Sequence, residues 1–130
     1  MHVEEMIDDS PASAAFDADL LAEAIKACFA CAETCSACAD ACLSESDVAH
    51  MATCIRLDLL CADVCTTVGK ALARQGTEPM AIMPLLSACV AICRRCADEC
   101  GAHGDDHEHC ALCADACRRC AEACEALVPE

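Results

Sequence analysis

Cysteines recur along this chain at alternating intervals of three and four residues. The segment CFACAETCSACADAC places Cys28, Cys31, Cys35, Cys38 and Cys42 at that interval, and CALCADACRRCAEAC repeats it with Cys110, Cys113, Cys117, Cys120 and Cys124. Cys89, Cys93, Cys96 and Cys100 form a third stripe, and Cys54, Cys61 and Cys65 a fourth, in which Asp58 stands where a further cysteine would fall. A mean interval of 3.5 residues marks one face of an α-helix, the face that looks onto the axis of a helix bundle. A disulfide scaffold or a zinc-binding loop has no reason to keep such a count.

Helix breakers divide the stripes. The first helical segment runs from about Asp17 to Leu43, with Asp17 or Asp19 as its N-cap. Ser44 to Asp47 form a turn, and Ser46 or Asp47 caps a second segment reaching about Arg74. Gly76 sits near its C-cap position. Thr77 is the expected cap of a third segment, with Pro79 in the first turn and Pro84 tolerable only near the start or as a kink. That segment extends to about Ala102, Gly104 to Asp106 turn the chain, and a fourth segment ends before Pro129. Short connections between such helices predict an all-α fold, an antiparallel up-down-up-down four-helix bundle with cysteines lining the core. Residues 17–130 form this bundle and residues 1–16 a flexible or loosely docked N-terminal segment.

Between the cysteines the first and fourth segments are largely alanine and charged residues, so all 17 cysteines point inward. An apolar core would use Leu, Ile and Val, which fill space better. The chain has no Trp or Tyr and two Phe, Phe16 and Phe29, so large side chains are kept off the axis. Disulfides fit poorly. Helical neighbours hold their Cβ atoms about 5–6 Å apart, against the roughly 3.5–4.5 Å a disulfide needs, and the cysteine count is odd. The N-terminal residues carry no secretory pattern, which predicts a cytoplasmic location with reduced thiols. No run of 18 apolar residues predicts a membrane span. A net charge of −15 disfavours nucleic acid and anionic membranes as partners.

Ligands that are almost all sulfur select soft ions: Cu(I), zinc or iron–sulfur clusters. Structural zinc and ferredoxin motifs usually sit on turns and loops, which these stripes lack. Two or three thiolates suffice for Cu(I), and helical neighbours can bracket one ion, so a thiol-lined tube could hold many. A thiol redox buffer would need accessible, low-pKa thiols in an electropositive setting, and this chain is acidic. A copper chaperone would need one or two exposed cysteines, and a zinc- or cadmium-sequestering protein remains a rival. No enzymatic constellation is evident.

The four stripes, CFACAETCSACADAC, CIRLDLLCADVC, CVAICRRCADEC and CALCADACRRCAEAC, closely resemble those of the cytosolic bacterial copper storage proteins over about residues 17–127. The resemblance implies a pre-formed bundle that fills with multiple Cu(I) ions along its axis, assembles as a homotetramer and receives copper from a donor such as a copper chaperone. All 17 cysteines would be ligands.

The residues beyond the stripes give the tube a polarity. His50, beside Met51, extends the second stripe, His103 the third and His107 the fourth, all toward one end. Leu21, Ile25, Val68, Leu72, Leu85, Leu86 and Leu127 gather at the other. This predicts a metal entrance lined by His50, His103 and His107 opposite an aliphatic plug. His109 is off the stripe and His2 lies on the tail, so neither is assigned to it. Asp58 is expected inward, as a weak oxygen ligand or a base for thiol protons. Ile55, Leu57, Leu59, Leu60, Val64, Val90 and Ile92 lie off the stripes and predict a homo-oligomer.

Overall fold

The computed structural model describes residues 1–12 and 15–128. The expected domain limits therefore extend, at residues 13–14 and 129–130, outside the described residues. Four long helices make the body: α2 (Ala18–Leu43), α3 (Ala52–Ala73), α4 (Pro79–Ala102) and α5 (Glu108–Glu125), preceded by a short α1 (Val3–Asp9). No strand occurs among the described residues. Each long helix packs on its neighbours in chain order, and α5 closes the ring against α2, giving the up-down-up-down bundle.

The sequence sets these limits locally. Asp17 caps α2, its side chain accepting from the backbone N–H groups of Asp19 and Leu20. Before α3 the chain winds as a 3₁₀ turn, Val48–Met51, a tighter entrance than the expected continuous helix. The cap of α4 is Glu78 in extended backbone, with Pro79 at the first turn, rather than the expected Thr77. Pro84 lies inside α4 near its start. The N–H it lacks would have met the carbonyl of Met80, an exposed residue that water can serve. An 18-residue window of α4 has a mean hydropathy of 1.5, but its cysteine face is turned into the bundle.

Large aliphatic side chains gather at the pole where α2 and α4 begin. Leu21, Ile25, Val68, Leu72, Ile82, Leu86 and Leu127 are buried there and Leu85 is half-buried. Helix α1 docks nearby, burying Val3 and Ile7, with Glu4 paired to Lys26 and the Gln75 side chain donating to the Ile7 carbonyl. Phe29 lies over Gly69, where an added Cβ would meet its ring at 3.0–3.2 Å. Burial of this kind stabilises by about 25 cal/mol per Å² of apolar surface removed from water. The poles and seams therefore hold the bundle, and the axis is left to smaller groups.

Candidate metal centre

All 17 cysteines are buried, each no more than 2% exposed, and all are free thiols. Their sulfurs follow one another along the axis. At the aliphatic end Cys28 lies 3.6 Å from Cys124 and 3.8 Å from Cys120, and Cys124 lies 4.0 Å from Cys89. In the middle Cys65 reaches Cys93 at 3.5 Å, Cys61 reaches Cys31 at 3.9 Å, and Cys35 reaches Cys117 at 3.5 Å. Cys113 and Cys100 continue the series at 3.6 Å, and Cys54 meets Cys100 at 3.3 Å. Helices from opposite sides thus interleave their stripes, as knobs do in holes.

Sulfurs group in fours whose atoms all lie within 4.8 Å of one another. Cys28, Cys89, Cys120 and Cys124 form one group, and Cys31, Cys65, Cys93 and Cys120 the next. Cys31, Cys35, Cys61 and Cys117 follow, then Cys35, Cys96, Cys113 and Cys117. Adjacent groups share a corner or an edge, so the arrangement is a ladder rather than a set of separate centres. With a metal–sulfur bond near 2.3 Å, three thiolates around one ion lie ~4.0 Å apart, close to the spacings present.

The only buried polar or charged residues are Asp58 and His103, so no Lys or Arg lies in the interior among the described residues. Exchange of a thiol proton for a monovalent cation leaves the local charge unchanged. Divalent ions bound by four thiolates would instead leave uncompensated negative charge in a dry interior, which is costly. Burial pushes the Cys42 thiol up to about 12 and raises Cys110 as well, so these two thiols near the histidine pole keep their protons at neutral pH.

Asp58 fills its place in the second stripe. It is fully buried, and its Oδ1 accepts from the thiols of Cys96, Cys100 and Cys113 at 3.3, 3.1 and 3.1 Å. Burial raises its carboxyl to about 8, against the pull of the hydrogen bonds from Cys100 and Cys113. The carboxyl is therefore mostly protonated at neutral pH.

Histidines crowd the pole opposite the leucines, but not as a simple extension of the stripes. His103 is 8% exposed and sits 3.1 Å from the Glu99 carboxylate. His50 is exposed, its ring edge-on to that of His103 at 5.3 Å, while Met51 beside it is fully buried. Three-residue winding before α3 puts Met51, not His50, above Cys54. His107 caps α5 in extended backbone and turns to Glu45 at 2.7 Å and Asp47 at 3.3 Å. Those contacts raise the His107 pKa and lower that of Asp47, mainly through their hydrogen bond. His109, which the stripe count leaves out, instead faces sulfur. Its Nδ1 lies 3.4 Å from Cys38 and 3.6 Å from Cys110. The signal that could have found it is its position in the first turn of α5, where side chains lean back toward the N-terminus.

Comparison with known proteins places this geometry among relatives. Residues 17–129 match the family model described as copper storage protein. The structure superposes with a TM-score of 0.93 on the copper storage protein Ccsp from Streptomyces lividans loaded with 10 copper equivalents. The two are 44% identical, with 96% of each chain covered. Another structure of a Streptomyces lividans protein, described as a cytosolic copper storage protein with five coppers, gives a TM-score of 0.82 at 47% identity, covering 84% of this chain and 92% of that one. Cu(I)-bound copper storage protein BsCsp3 gives 0.73 at 42% identity, covering 82% of this chain and 95% of its own.

Proposed function

Because the chain belongs to the copper storage protein family, we propose that it stores and buffers many Cu(I) ions on the thiolates of its pre-formed bundle. The observation that carries this reading is the ladder of corner-sharing sulfur groups in an interior without a buried Lys or Arg. Each ion that enters takes the place of a thiol proton, so the tube fills without building charge. Two or three sulfurs bind each ion and neighbouring ions share them. All 17 cysteines serve as ligands, and storage rather than catalysis is the role.

Copper passes through the histidine pole. His103, His107 and the outer His50 offer imidazole nitrogens, and buried Met51 a thioether, before the thiols begin. Such donors take Cu(I) without first releasing a thiol proton, and sulfur then draws the ion inward. Asp58 acts midway as a weak oxygen ligand; the proton its buried carboxyl already holds at neutral pH argues against the other expected role, as a base for thiol protons. The bundle, 17–130, is the metal-holding unit and 1–16 an appended segment. A relative's description as cytosolic supports a cytoplasmic location, where thiols stay reduced.

The protein works as a homo-oligomer, a tetramer by resemblance, with a copper chaperone as donor. Leu59 and Leu60 on α3 are 51% and 47% exposed, apolar area that an interface would cover.

Anaerobic titration of the fully reduced protein with Cu(I), against a competing chelator, tests the reading. Tight uptake of many equivalents is expected. Uptake of only one or two would point to a carrier, and equal capacity for Zn(II) or Cd(II) to a general thiol sink.

A further inference from the structure

Within the cysteine-bearing stretches, the residues buried off the stripes are all alanine. Ala32, Ala39, Ala62, Ala97, Ala114 and Ala121 are each no more than 9% exposed, and each directly follows a stripe cysteine. The flank that precedes the stripes takes larger side chains, for Leu57, Val64 and Ile92 are half-buried there. Size is therefore restricted on one flank only. The preceding flank borders two open grooves. Ala27, Ala116 and Ala123 line the one between α2 and α5, and Ala71 and Leu85 the one between α3 and α4. The alanine flank faces the two close pairs of the ring, α2 with α3 and α4 with α5. A Cβ placed on Gly101 of α4 would stand 4.0 Å from the Ala114 side chain, and Gly69, next after Val68 on α3, lies under Phe29 of α2. Helix axes pack about 8–10 Å apart according to the side chains between them, and alanine sets the near end of that range.

The cysteines that precede these alanines are Cys31, Cys38, Cys61, Cys96, Cys113 and Cys120, and each of the four sulfur groups described above contains at least one of them. A wider seam would carry those sulfurs apart with their helices. As it stands, neighbouring sulfurs lie between 3.3 and 4.0 Å apart, near the ~4.0 Å edge of three thiolates around an ion with bonds of about 2.3 Å. Silver(I) shares the charge of Cu(I) and its preference for thiolate, so neither charge nor softness separates the two ions. Its bonds to sulfur are longer, so spacing does, in an interior too closely packed to swell freely. We infer that the six alanines are specificity-determining positioning residues: they hold the tube at the bore of a cuprous ion and so disfavour larger soft monovalent ions such as Ag(I).

This role rests on the storage reading and names what the store turns away. The reduced, metal-free full chain is dialysed to equilibrium against equal excesses of Cu(I) and Ag(I), in anaerobic chloride-free buffer holding a free monothiol. The free thiol imposes no spacing, so the bound Cu(I) to Ag(I) ratio, taken relative to it, reads the preference of the tube. Native protein should favour Cu(I). Ala97→Val with Ala114→Val adds branched side chains to the α4–α5 seam. It should move the ratio about 10-fold toward silver, the size of effect that overpacking has on an equilibrium, with helical circular dichroism kept. Ala62→Val, in the other close pair, should move it the same way by less, and Ala88→Val, on the exposed face of α4, should leave it as it is. Native protein that holds many ions of either metal without preference, or an unchanged ratio in the folded seam variants, would overturn the assignment and leave storage standing. Native protein that takes up only one or two ions of either metal would overturn the storage reading, and this role with it.

Discussion

Asp58 Oδ1 lies 3.1 Å from the Cys113 sulfur, and an equal distance from that of Cys100 on the neighbouring helix. One carboxyl thus replaces one thiol in the stripe and ties three others together, counting Cys96 at 3.3 Å. Its consequences are electrostatic. In the folded interior the carboxyl keeps its proton to about pH 8, whereas the unfolded chain loses it near ~3.9.

Between those values the native state binds the extra proton, so the contribution of Asp58 to stability falls as pH rises. His107 acts in the same direction. Its raised pKa adds stability below ~6.5 that is lost as pH climbs through the folded value. Denaturation of metal-free, reduced protein should therefore show a decline from pH ~5 to ~7.5. Asp58→Asn has no such proton and keeps His107, so its decline should be smaller. Equal slopes in the two proteins would mean that Asp58 titrates as it does in water.

The histidine pole should govern rates. Replacing His103 and His107 together with alanine removes the nitrogens that meet an ion before the thiols. Loading from a Cu(I) chelate, and removal by one, should slow severalfold, while capacity falls by at most the few ions those residues touch. Stopped-flow absorbance on native and variant protein makes the comparison. Unaltered rates in both directions would identify these side chains as partners of Glu99, Glu45 and Asp47 and nothing more.

The opposite pole should govern stability. Leu86 is fully buried against the end of the bundle, and Leu86→Ala should cost ~2–5 kcal/mol, read from chemical denaturation. Copper capacity at temperatures where the variant is folded should stay as it is. A loss of capacity in proportion to stability would show that structure and cargo are not separable here.

Surface leucines should govern assembly. Leu59→Glu combined with Leu60→Glu places charge on the exposed face of α3 without touching the stripe. Sedimentation velocity should then report a smaller particle than the native one. A native protein that already sediments as a monomer at micromolar concentration would remove the basis for an interface there.

The stripes, the antiparallel order and the leucine plug were legible in sequence because each depends on helical periodicity, which side-chain spacing records directly. What escaped lies where helices begin. A 3₁₀ turn before α3 winds three residues per turn, so the inward place above Cys54 went to Met51 and His50 was left outside. Extended backbone at His107 ended the stripe one residue short of α5 and sent that ring to Glu45. His109 lies a residue off the stripe, yet its ring reaches across to Cys38 on α2. Thr77 gave way to Glu78 as the cap of α4 because Pro79 already supplies a helical φ and needs no N–H partner.

A ladder of corner-sharing groups is extensible. Asp58 apart, nothing in its middle distinguishes one rung from the next, and the two poles carry the other features that differ. Inserting seven residues into each of the four long helices would lengthen the bundle by ~10.5 Å and bring two more stripe positions per helix. The ends would be untouched, so volume could change in steps of a heptad while gate and plug stay constant. In such a vessel size is a free parameter of chain length, and Asp58 shows that a single rung can be exchanged for another chemistry without disturbing the rest.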